Sequence, residues 1–225
     1  MAHQGLASLG RDAEFPETSI RNATERDLPA IMRVERDWPP GQRAPRKKFA
    51  ARLRRFPEGV FVAVHEGQVV GVTTSCLLRY EPEQVGGFTS WDAVTNEGWL
   101  VDREQVVSPN AVYVVSTGIM KAYRGRRIFP GLVGAQVELS RRLGLRYCVT
   151  GAILDGYAAY CKAHGETDAR GYALKMENGT YIDPLLRRLH RLGFVVPDER
   201  SVVPEYFASE DAHDWSAVMA VDNGA

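Results

Sequence analysis

The chain has 225 residues, of which 44% are hydrophobic, so its length and composition allow one domain with a sizeable core. Its 28 basic and 28 acidic side chains cancel, which argues against nucleic-acid binding. No apolar run reaches the ~18 residues that a membrane span needs, the N-terminus lacks a secretory pattern, and three unpaired cysteines indicate a reducing compartment. We therefore expect a cytoplasmic protein without a metal ion, which binds neither nucleic acid nor membrane.

The first part of the chain predicts a loose end followed by a strand and a helix. Residues 1–17 are polar and Gly-rich and predict a flexible N-terminal tail, so we assign residues 18–225 to a single domain. Residues 18–21 predict the first strand. Thr24 is a good N-cap for the following helix, because Asp27 stands three residues later and can complete a capping box.

A second helix and a hairpin are predicted next. Residues 49–56 read as a helix whose aromatic and leucine side chains point inward, while the basic residues of the surrounding segment 43–55 form a solvated face. Contact of that basic face with phosphate groups or an acidic partner is the alternative. The apolar runs 60–65 and 68–75 flank the two-residue turn Glu66-Gly67 and predict a β-hairpin.

A strand, a basic turn and a helix then follow in direct succession. Residues 112–119 are β-branched and apolar and predict a buried strand. After the basic turn 123–127, apolar residues recur near helical spacing until Gly144. A helix N-terminus has unpaired N–H groups and partial positive charge, and arginines add charge-assisted hydrogen bonds, so this unit predicts an anion site. An ordinary connection with a solvated basic face is the alternative.

The sequence of this turn, YRGRRIFPGL, resembles the acyl-CoA pyrophosphate loop of the GNAT acyltransferase superfamily, Arg/Gln-x-x-Gly-x-Gly/Ala. Arg124 fills the first position, and Arg127 and Phe129 stand where the two glycines are usual. The resemblance covers residues 20–221, and the segment SWDAVTNEGW at 90–99 is similar to one branch of the superfamily. That branch consists of GNAT domains fused to carbon–nitrogen hydrolase (nitrilase-like) domains, of which we expect only the GNAT domain here.

The resemblance implies an α/β (α+β) GNAT fold. Its central sheet is mixed and mostly antiparallel, with six to seven strands flanked by about four helices. The residue pattern places insertions at about 81–110 and 157–180, a fifth strand at 147–152, a helix at 181–192 that Asp183 caps, and a last strand at 215–222.

The resemblance further implies an N-acyltransferase that moves an acetyl or other acyl group from acyl-CoA to an amine of a small molecule. Its donor is acetyl-CoA or another acyl-CoA, and no metal takes part. By resemblance, pantetheine and the thioester carbonyl bind along the cofactor strand, and the diphosphate binds at the turn and helix start. The corresponding residues are Thr117, Gly118 and Ile119 on the strand and Arg124, Gly125, Arg126, Arg127, Phe129, Gly131 and Leu132 beyond it.

Amine acylation needs a proton acceptor, because a protonated amine has no lone pair. Relatives often have a Glu on the cofactor strand, where this chain has Ser116. Asp155 or Glu97 can replace it as the base. Tyr157 leads the replacements for a Tyr that often protonates the leaving thiolate and whose position is Leu189 here. The catalytic candidates are thus Asp155, Tyr157 and Ser116, and the candidates for the substrate pocket are Trp91, Glu97, Trp99, Tyr160 and Tyr181.

Two other functions stay open at this point. Phe129 in the loop would suit an acyl carrier protein or a longer acyl donor, because the pantetheine of a carrier protein lacks the nucleotide part of CoA. A GNAT-like domain that binds acyl-CoA without catalysis is the other alternative. The sequence leaves open whether the chain forms a homodimer.

Overall fold

The structure, a computed structural model, describes residues 18–83 and 88–224; the tail predicted at 1–17 lies outside these residues. The described residues form nine strands and seven α-helices. The strands are β1 (Ser19–Asn22), β2 (Val60–His65), β3 (Gln68–Leu78), β4 (Ala111–Ile119), β5 (Tyr147–Ile153), β6 (Met176–Glu177), β7 (Thr180–Tyr181), β8 (Val202–Val203) and β9 (Ser216–Asp222). The helices are α1 (Leu28–Glu35), α2 (Arg46–Arg55), α3 (Trp91–Thr95), α4 (Ile128–Arg142), α5 (Tyr157–His164), α6 (Ala169–Leu174) and α7 (Pro184–His190).

Seven strands form one sheet in the order β1-β2-β3-β4-β5-β9-β8. Only β4 and β5 run parallel, and every other neighbouring pair is antiparallel. This confirms the predicted mixed, mostly antiparallel sheet. The expected number of about four helices was too low for the described ranges, because α3, α5 and α6 span eight residues or fewer and show little periodicity in sequence. None of the helices in these ranges is long and apolar enough to cross a membrane.

The sheet has a hydrophobic layer on each face. On one face α4 buries an apolar stripe that includes Leu132 and Val137 against the central strands. On the other face α1 and α2 pack on β2 and β3, and the segment that contains α3 covers β4 and β5. The central strand β4 therefore has a different covering on each of its two faces.

Strands β4 and β5 diverge halfway along their length. Their register ends at the pair Val114–Thr150, where Thr150 Oγ1 donates to the carbonyl oxygen of Val114 at 3.3 Å. Beyond that point β4 still pairs with β3, from Ser116–Thr74 to Ile119–Gly71. One edge of β4 thus stays fixed while its other edge borders a gap. The start of α4 follows directly after this open stretch.

The C-terminal helix predicted at 181–192 is shorter in the structure. Helix α7 covers Pro184–His190, and Tyr181 belongs to the short strand β7. The expected cap is confirmed, since Asp183 Oδ1 accepts hydrogen bonds from the backbone N–H groups of Leu185 and Leu186 at 2.9 and 3.0 Å. The tyrosine is separated from the helix because this cap fixes the first helical residue at Pro184.

The capping box predicted at the start of the first helix is present and gives a first testable prediction. Asp27 Oδ2 accepts from the N–H of Thr24, and Arg21 pairs with the carboxylate at 2.7 Å. The hydrogen bond from Arg21 is the main cause that lowers the pKa of Asp27 to about 2. We expect Asp27→Asn to lower the free energy of unfolding by ~1 kcal/mol at pH 7.

The pH dependence of this effect has a definite sign. A carboxylate whose pKa is depressed in the folded state stabilises that state above its unfolded pKa, and the stabilisation disappears as the pH falls from about 4 to about 2. The difference between wild type and Asp27→Asn in urea unfolding should shrink over that window. Glu25→Gln, in the same turn but exposed, is the control; an equal effect of both variants would contradict the prediction.

Candidate functional site

The basic turn between β4 and α4 has an unusual backbone. Gly125 has φ +82° and Arg127 has φ +59°, so an arginine holds a left-handed conformation that favours glycine. Arg127 is the residue before the first residue of α4, and its side chain makes no capping hydrogen bond. The loop therefore holds an arginine in a strained, left-handed backbone conformation, at a cost of about 1 kcal/mol. Pro130 in the first helical turn has no N–H, so Ile128 and Phe129 supply the N–H groups there.

The arginines of the turn are exposed, and one of them is oriented by its neighbours. The guanidinium of Arg126 lies over the ring of Tyr123, 5.2 Å from its centroid, and Nη1 is 3.4 Å from Nε2 of the buried His65. Arg124 and Arg127 extend into solvent beside it. Three positive charges thus surround the positive end of the α4 dipole, which is a suitable environment for a diphosphate.

The other residues expected at the turn lie along the first turns of α4. Phe129 is half-buried against the core, and Leu132 is fully buried beneath it. Gly131 is exposed, and a Cβ there would lie 3.4 Å from Ile20 of β1. Leu132 therefore anchors the helix, while Phe129 and Gly131 lie closer to its surface.

The open edge of β4 presents backbone groups. The N–H of Met120 donates to the carbonyl oxygen of Val70 in β3 at 2.9 Å, and hydrogen-bonding directions alternate along a strand. The backbone groups of Thr117 and Ile119 therefore point to the opposite edge, into the gap beside β5. The Oγ1 of Thr117 instead contacts Oγ1 of Thr73 at 2.9 Å on the α4 face. Backbone donors and acceptors, rather than side chains, line this edge.

The face of β4 opposite α4 has a tryptophan on each side. Gly118 is tightly covered, since a Cβ there would lie 2.8 Å from Nε1 of Trp38. Trp91 donates from Nε1 to the carbonyl oxygen of Val115 at 2.9 Å. Glycine is needed at 118 because the indole of Trp38 occupies the space of a side chain. The connection from α1 to α2 and the segment with α3 thus both reach β4.

Between the two tryptophans lies a buried arginine. Arg52 of α2 is 1% exposed, and Nη1 donates to Oγ of Ser116 at 3.3 Å and to Oγ1 of Thr74 at 3.2 Å. Its Nε donates to the carbonyl oxygen of Gly98 at 2.9 Å. Burial lowers the pKa of Arg52 to about 10, which still leaves the guanidinium charged at neutral pH. Sequence reasoning assigned this residue to a solvated basic face, and the structure shows that assignment to be wrong.

A buried carboxylate lies on the same side of the sheet. Glu35, the last residue of α1, is 7% exposed, and Oε1 accepts a hydrogen bond from the N–H of Ala44 at 2.6 Å. Burial raises its pKa, against the opposing effects of the Ala44 N–H and of the charges on Arg52 and Arg43. A carboxyl group with a raised pKa is a stronger proton acceptor than an ordinary glutamate, which suits a group that takes up a proton.

Two of the three catalytic candidates are engaged elsewhere. Asp155 follows β5, and Oδ2 accepts from Arg188 Nη2 at 3.1 Å on the exposed surface. Tyr157 is buried, and its hydroxyl donates to the carbonyl oxygen of Thr167. Burial raises the pKa of Tyr157. Only Ser116 lies on β4 itself, where its hydroxyl contacts Oγ1 of Thr74 at 2.9 Å.

The five residues expected in a substrate pocket do not share one place. Trp91, Glu97 and Trp99 all belong to the segment that covers β4. Glu97 is exposed, and the ring centroid of Trp99 lies 5.4 Å from Nζ of Lys47. Tyr160 stacks on His164 at 4.1 Å, on α5. Tyr181 is buried, and its hydroxyl accepts from the N–H of Val196 at 2.9 Å. The last two residues contribute to the packing of the C-terminal part.

Sequence reasoning missed Glu35, Trp38 and Arg52 as site residues. For Arg52 a signal was present, because positions 49, 52, 53 and 56 follow the i, i+3, i+4, i+7 spacing of one helix face. Within the described part of the chain, no group of three or more His, Cys, Asp or Glu side chains could hold a metal ion.

Comparison with known proteins gives relatives along most of the chain, although no family model matches it. A Bacillus subtilis (strain 168) protein named Probable hydrolase YhcX is 26% identical over 196 residues, which cover 86% of this chain and 36% of YhcX. The Bacillus subtilis protein named Uncharacterized N-acetyltransferase YkwB is 25% identical over 215 residues, 93% of this chain and 91% of YkwB. The chain thus spans about a third of the first relative.

Among solved structures, the chain is similar to the GNAT-like decarboxylase GphF in complex with isobutyryl-CoA. The TM-score is 0.73 with 22% sequence identity, and the match covers 91% of this chain and 98% of the chain in that structure. At this identity the likeness shows a common fold.

Proposed function

We propose that this chain, a member of the GNAT superfamily by its fold, transfers an acyl group from acyl-CoA to an amine of a small molecule. The observation that supports this most directly is the open edge of β4, which leads to an arginine-rich turn at the start of α4. The similarity to YkwB, which is named an N-acetyltransferase and matches 93% of this chain, agrees with this function. The partial match to YhcX, named a hydrolase, supports our assignment to the hydrolase-fused branch.

The donor would bind across this unit. The diphosphate binds at the turn to Arg124, Arg126 and Arg127 and to the N–H groups at the start of α4. Pantetheine pairs with the backbone of Thr117 and Ile119, as an additional strand would. A backbone N–H at this edge polarises the thioester carbonyl. The gap beside β5 supplies the space that such a chain requires.

The acceptor amine would approach from the face that Trp38 and Trp91 border. Its nitrogen forms a bond to the thioester carbon, the carbon–sulfur bond breaks, and the sulfur leaves as the CoA thiolate. One proton leaves the amine nitrogen during this step, and the thiolate becomes a thiol by taking a proton from solvent. The products are an amide and free CoA.

Glu35 is our candidate for the group that takes this proton. It is a buried carboxylate at the end of α1, on the face of β4 where the family's strand carboxylate is replaced by Ser116. Its Oε1 is fixed by the N–H of Ala44, and Oε2 makes no hydrogen bond to the described residues. Asp155 remains the alternative from the sequence, and its pairing with Arg188 weighs against it.

Binding and thiol release test the proposed function together. We expect acetyl-CoA or another acyl-CoA to bind in native mass spectrometry and to raise the melting temperature, and we expect added amines to release free CoA. Thiol release only from an acylated carrier protein would replace acyl-CoA by the carrier as donor. Binding of acyl-CoA without thiol release from any amine would leave a binding domain and contradict the enzyme.

Reversal of one charge at the turn should weaken donor binding. We expect Arg124→Glu to raise the Kd for acetyl-CoA at least tenfold, about 1.4 kcal/mol, because it places a negative charge beside the diphosphate. Isothermal titration calorimetry measures the change. Arg142→Glu, an exposed arginine at the opposite end of the same helix, is the matched control. Equal affinity of Arg124→Glu and wild type would count against the diphosphate site.

A further inference from the structure

The cluster on the acceptor side of β4 contains two buried, opposite charges that do not pair with each other. Arg52 and Glu35 attract one another electrostatically, yet no ion pair joins them among the described residues. Burial of a charge without a partner costs several kcal/mol. An arrangement of this kind is unfavourable for stability alone, and a ligand that carries both charges would complete it.

Arg52 makes hydrogen bonds to neutral oxygens only. Its partners are the hydroxyls of Thr74 and Ser116 and the carbonyl of Gly98, all within 3.3 Å. The remaining nitrogen, Nη2, donates to no oxygen of the described residues. A guanidinium binds carboxylates strongly when two of its N–H groups are available in one plane. Arg52 therefore offers an incomplete anion site.

The neighbours of Arg52 hold the guanidinium in place. The Phe49 ring centroid lies 4.9 Å from its Cζ. On another side of the guanidinium, Gly98 leaves the space that Arg52 and Trp91 need. A Cβ at position 98 would lie 2.7 Å from Nη2 of Arg52 and 2.7 Å from Cη2 of Trp91. Ser116, its partner on β4, is half-exposed. The fixed, buried cation therefore lies beside a strand residue that borders open space.

Position along β4 relates this cation to the reaction. Ser116 is three residues before Ile119, which corresponds to roughly 10 Å along a strand. Glu35 is on the same face, where Trp38 covers Gly118. An acceptor that reaches the thioester from this face approaches the side of β4 on which both charges lie. A molecule with an ammonium group and a carboxylate would satisfy the two together.

We propose that the acceptor is an amino acid or a closely related compound, whose carboxylate binds to Arg52 while its amine faces Glu35. This inference rests on the proposed acyltransferase function and names its substrate class. Arg52 is then a binding residue of the acceptor site. The second tryptophan, Trp91, closes the same site from the side of Gly98.

The test compares acids with amides as acceptors. With acetyl-CoA as donor, thiol release is measured for the twenty common amino acids and for the amide of each. We expect kcat/KM for the best acid to exceed that for its amide at least tenfold in the wild type. Equal rates for acids and amides would overturn the inference without any variant, so it stays testable whether or not the variants fold.

Variants at Arg52 then test whether this residue causes the preference for acids over amides. Arg52→Met keeps a long side chain without charge and should lower kcat/KM for acids at least tenfold more than for amides, mainly through KM. Arg52→Lys, which keeps the charge, should recover part of the preference. Arg54→Met, on the exposed side of the same helix, is the matched control. Persistence of the full acid preference in Arg52→Met would contradict the role of Arg52.

A final set of measurements distinguishes a failure of this inference from a failure of the proposed function. Failure of acetyl-CoA to bind to the wild type would overturn the proposed function and this inference with it. Binding of acetyl-CoA without a preference for acids would overturn this inference alone. If the carboxylate were recognised on the donor, malonyl-CoA would bind more tightly than the similarly shaped, neutral isovaleryl-CoA, and Arg52→Met would abolish that difference. This outcome would contradict the amino acid acceptor.

Discussion

Substitution of Glu35 by Gln is expected to lower kcat for amine acylation at least a hundredfold. General base catalysis contributes roughly 10² to 10⁴ in rate, and a carboxamide cannot take the proton. The amide keeps an oxygen that can accept the hydrogen bond from the N–H of Ala44, so the end of α1 should stay in place. The affinity for acetyl-CoA, measured by calorimetry, should change by less than about twofold, because the one hydrogen bond of the Glu35 side chain among the described residues is to Ala44 and not to the turn at α4.

Two matched variants decide between Glu35 and the residues expected from the sequence. Asp155→Asn removes the carboxylate that pairs with Arg188, and Glu97→Gln removes an exposed one. Both should retain most of the wild-type kcat. A hundredfold loss in Asp155→Asn, with normal turnover in Glu35→Gln, would show that the residue after β5 is the base and that our assignment is wrong.

Removal of the Asp183 side chain should be the most destabilising of these substitutions. Asp183 is completely buried, and its carboxylate accepts four hydrogen bonds. Two come from the first N–H groups of α7, one from the N–H of Gly156 before α5, and one from the hydroxyl of Tyr172 in α6. We expect Asp183→Ala to lower the free energy of unfolding by about 3–5 kcal/mol, because it removes a cap and leaves buried donors unpaired.

Asp168 provides the matched control for this measurement. Its side chain caps α6 by accepting from the N–H groups of Arg170 and Gly171, but it is exposed and makes no other hydrogen bond to the described residues. Asp168→Ala should therefore cost only ~1 kcal/mol in urea unfolding. Asp183→Asn keeps one acceptor oxygen and should fall between the two. A loss in Asp183→Ala no larger than in Asp168→Ala would contradict the role of the buried carboxylate.

The parts of this fold that local rules govern were predictable from the sequence. The Thr24–Asp27 capping box and the Asp183 cap depend on residues within three positions of each other, and both are confirmed. The hairpin around Glu66-Gly67 follows from a turn between two apolar runs, and it is present too. Such features require no knowledge of distant contacts, because the hydrogen bonds that define them are local.

The candidate site was less predictable because it depends on contacts between distant segments. Arg52 contacts Gly98 and Ser116, which lie 46 and 64 positions away along the chain. In the sequence it is one of several basic residues, and charge alone indicated solvent exposure. Tyr181 shows the reverse case, since an aromatic residue expected near the substrate is buried against Val196. At both positions the residue type indicated which chemistry the side chain can perform, but the packing determines where that side chain lies and what it contacts.

The separation of β4 from β5 has a consequence for the speed of association. Thr150 and Trp91 already donate to the carbonyl oxygens of Val114 and Val115, the last groups before the strands part. The backbone polar groups at the point where the strands part are thus satisfied within the protein, which favours a β4 edge that stays separate from β5. A donor can enter without a preceding rearrangement of the sheet, so encounter by diffusion, rather than an opening step, should set the rate at which it binds.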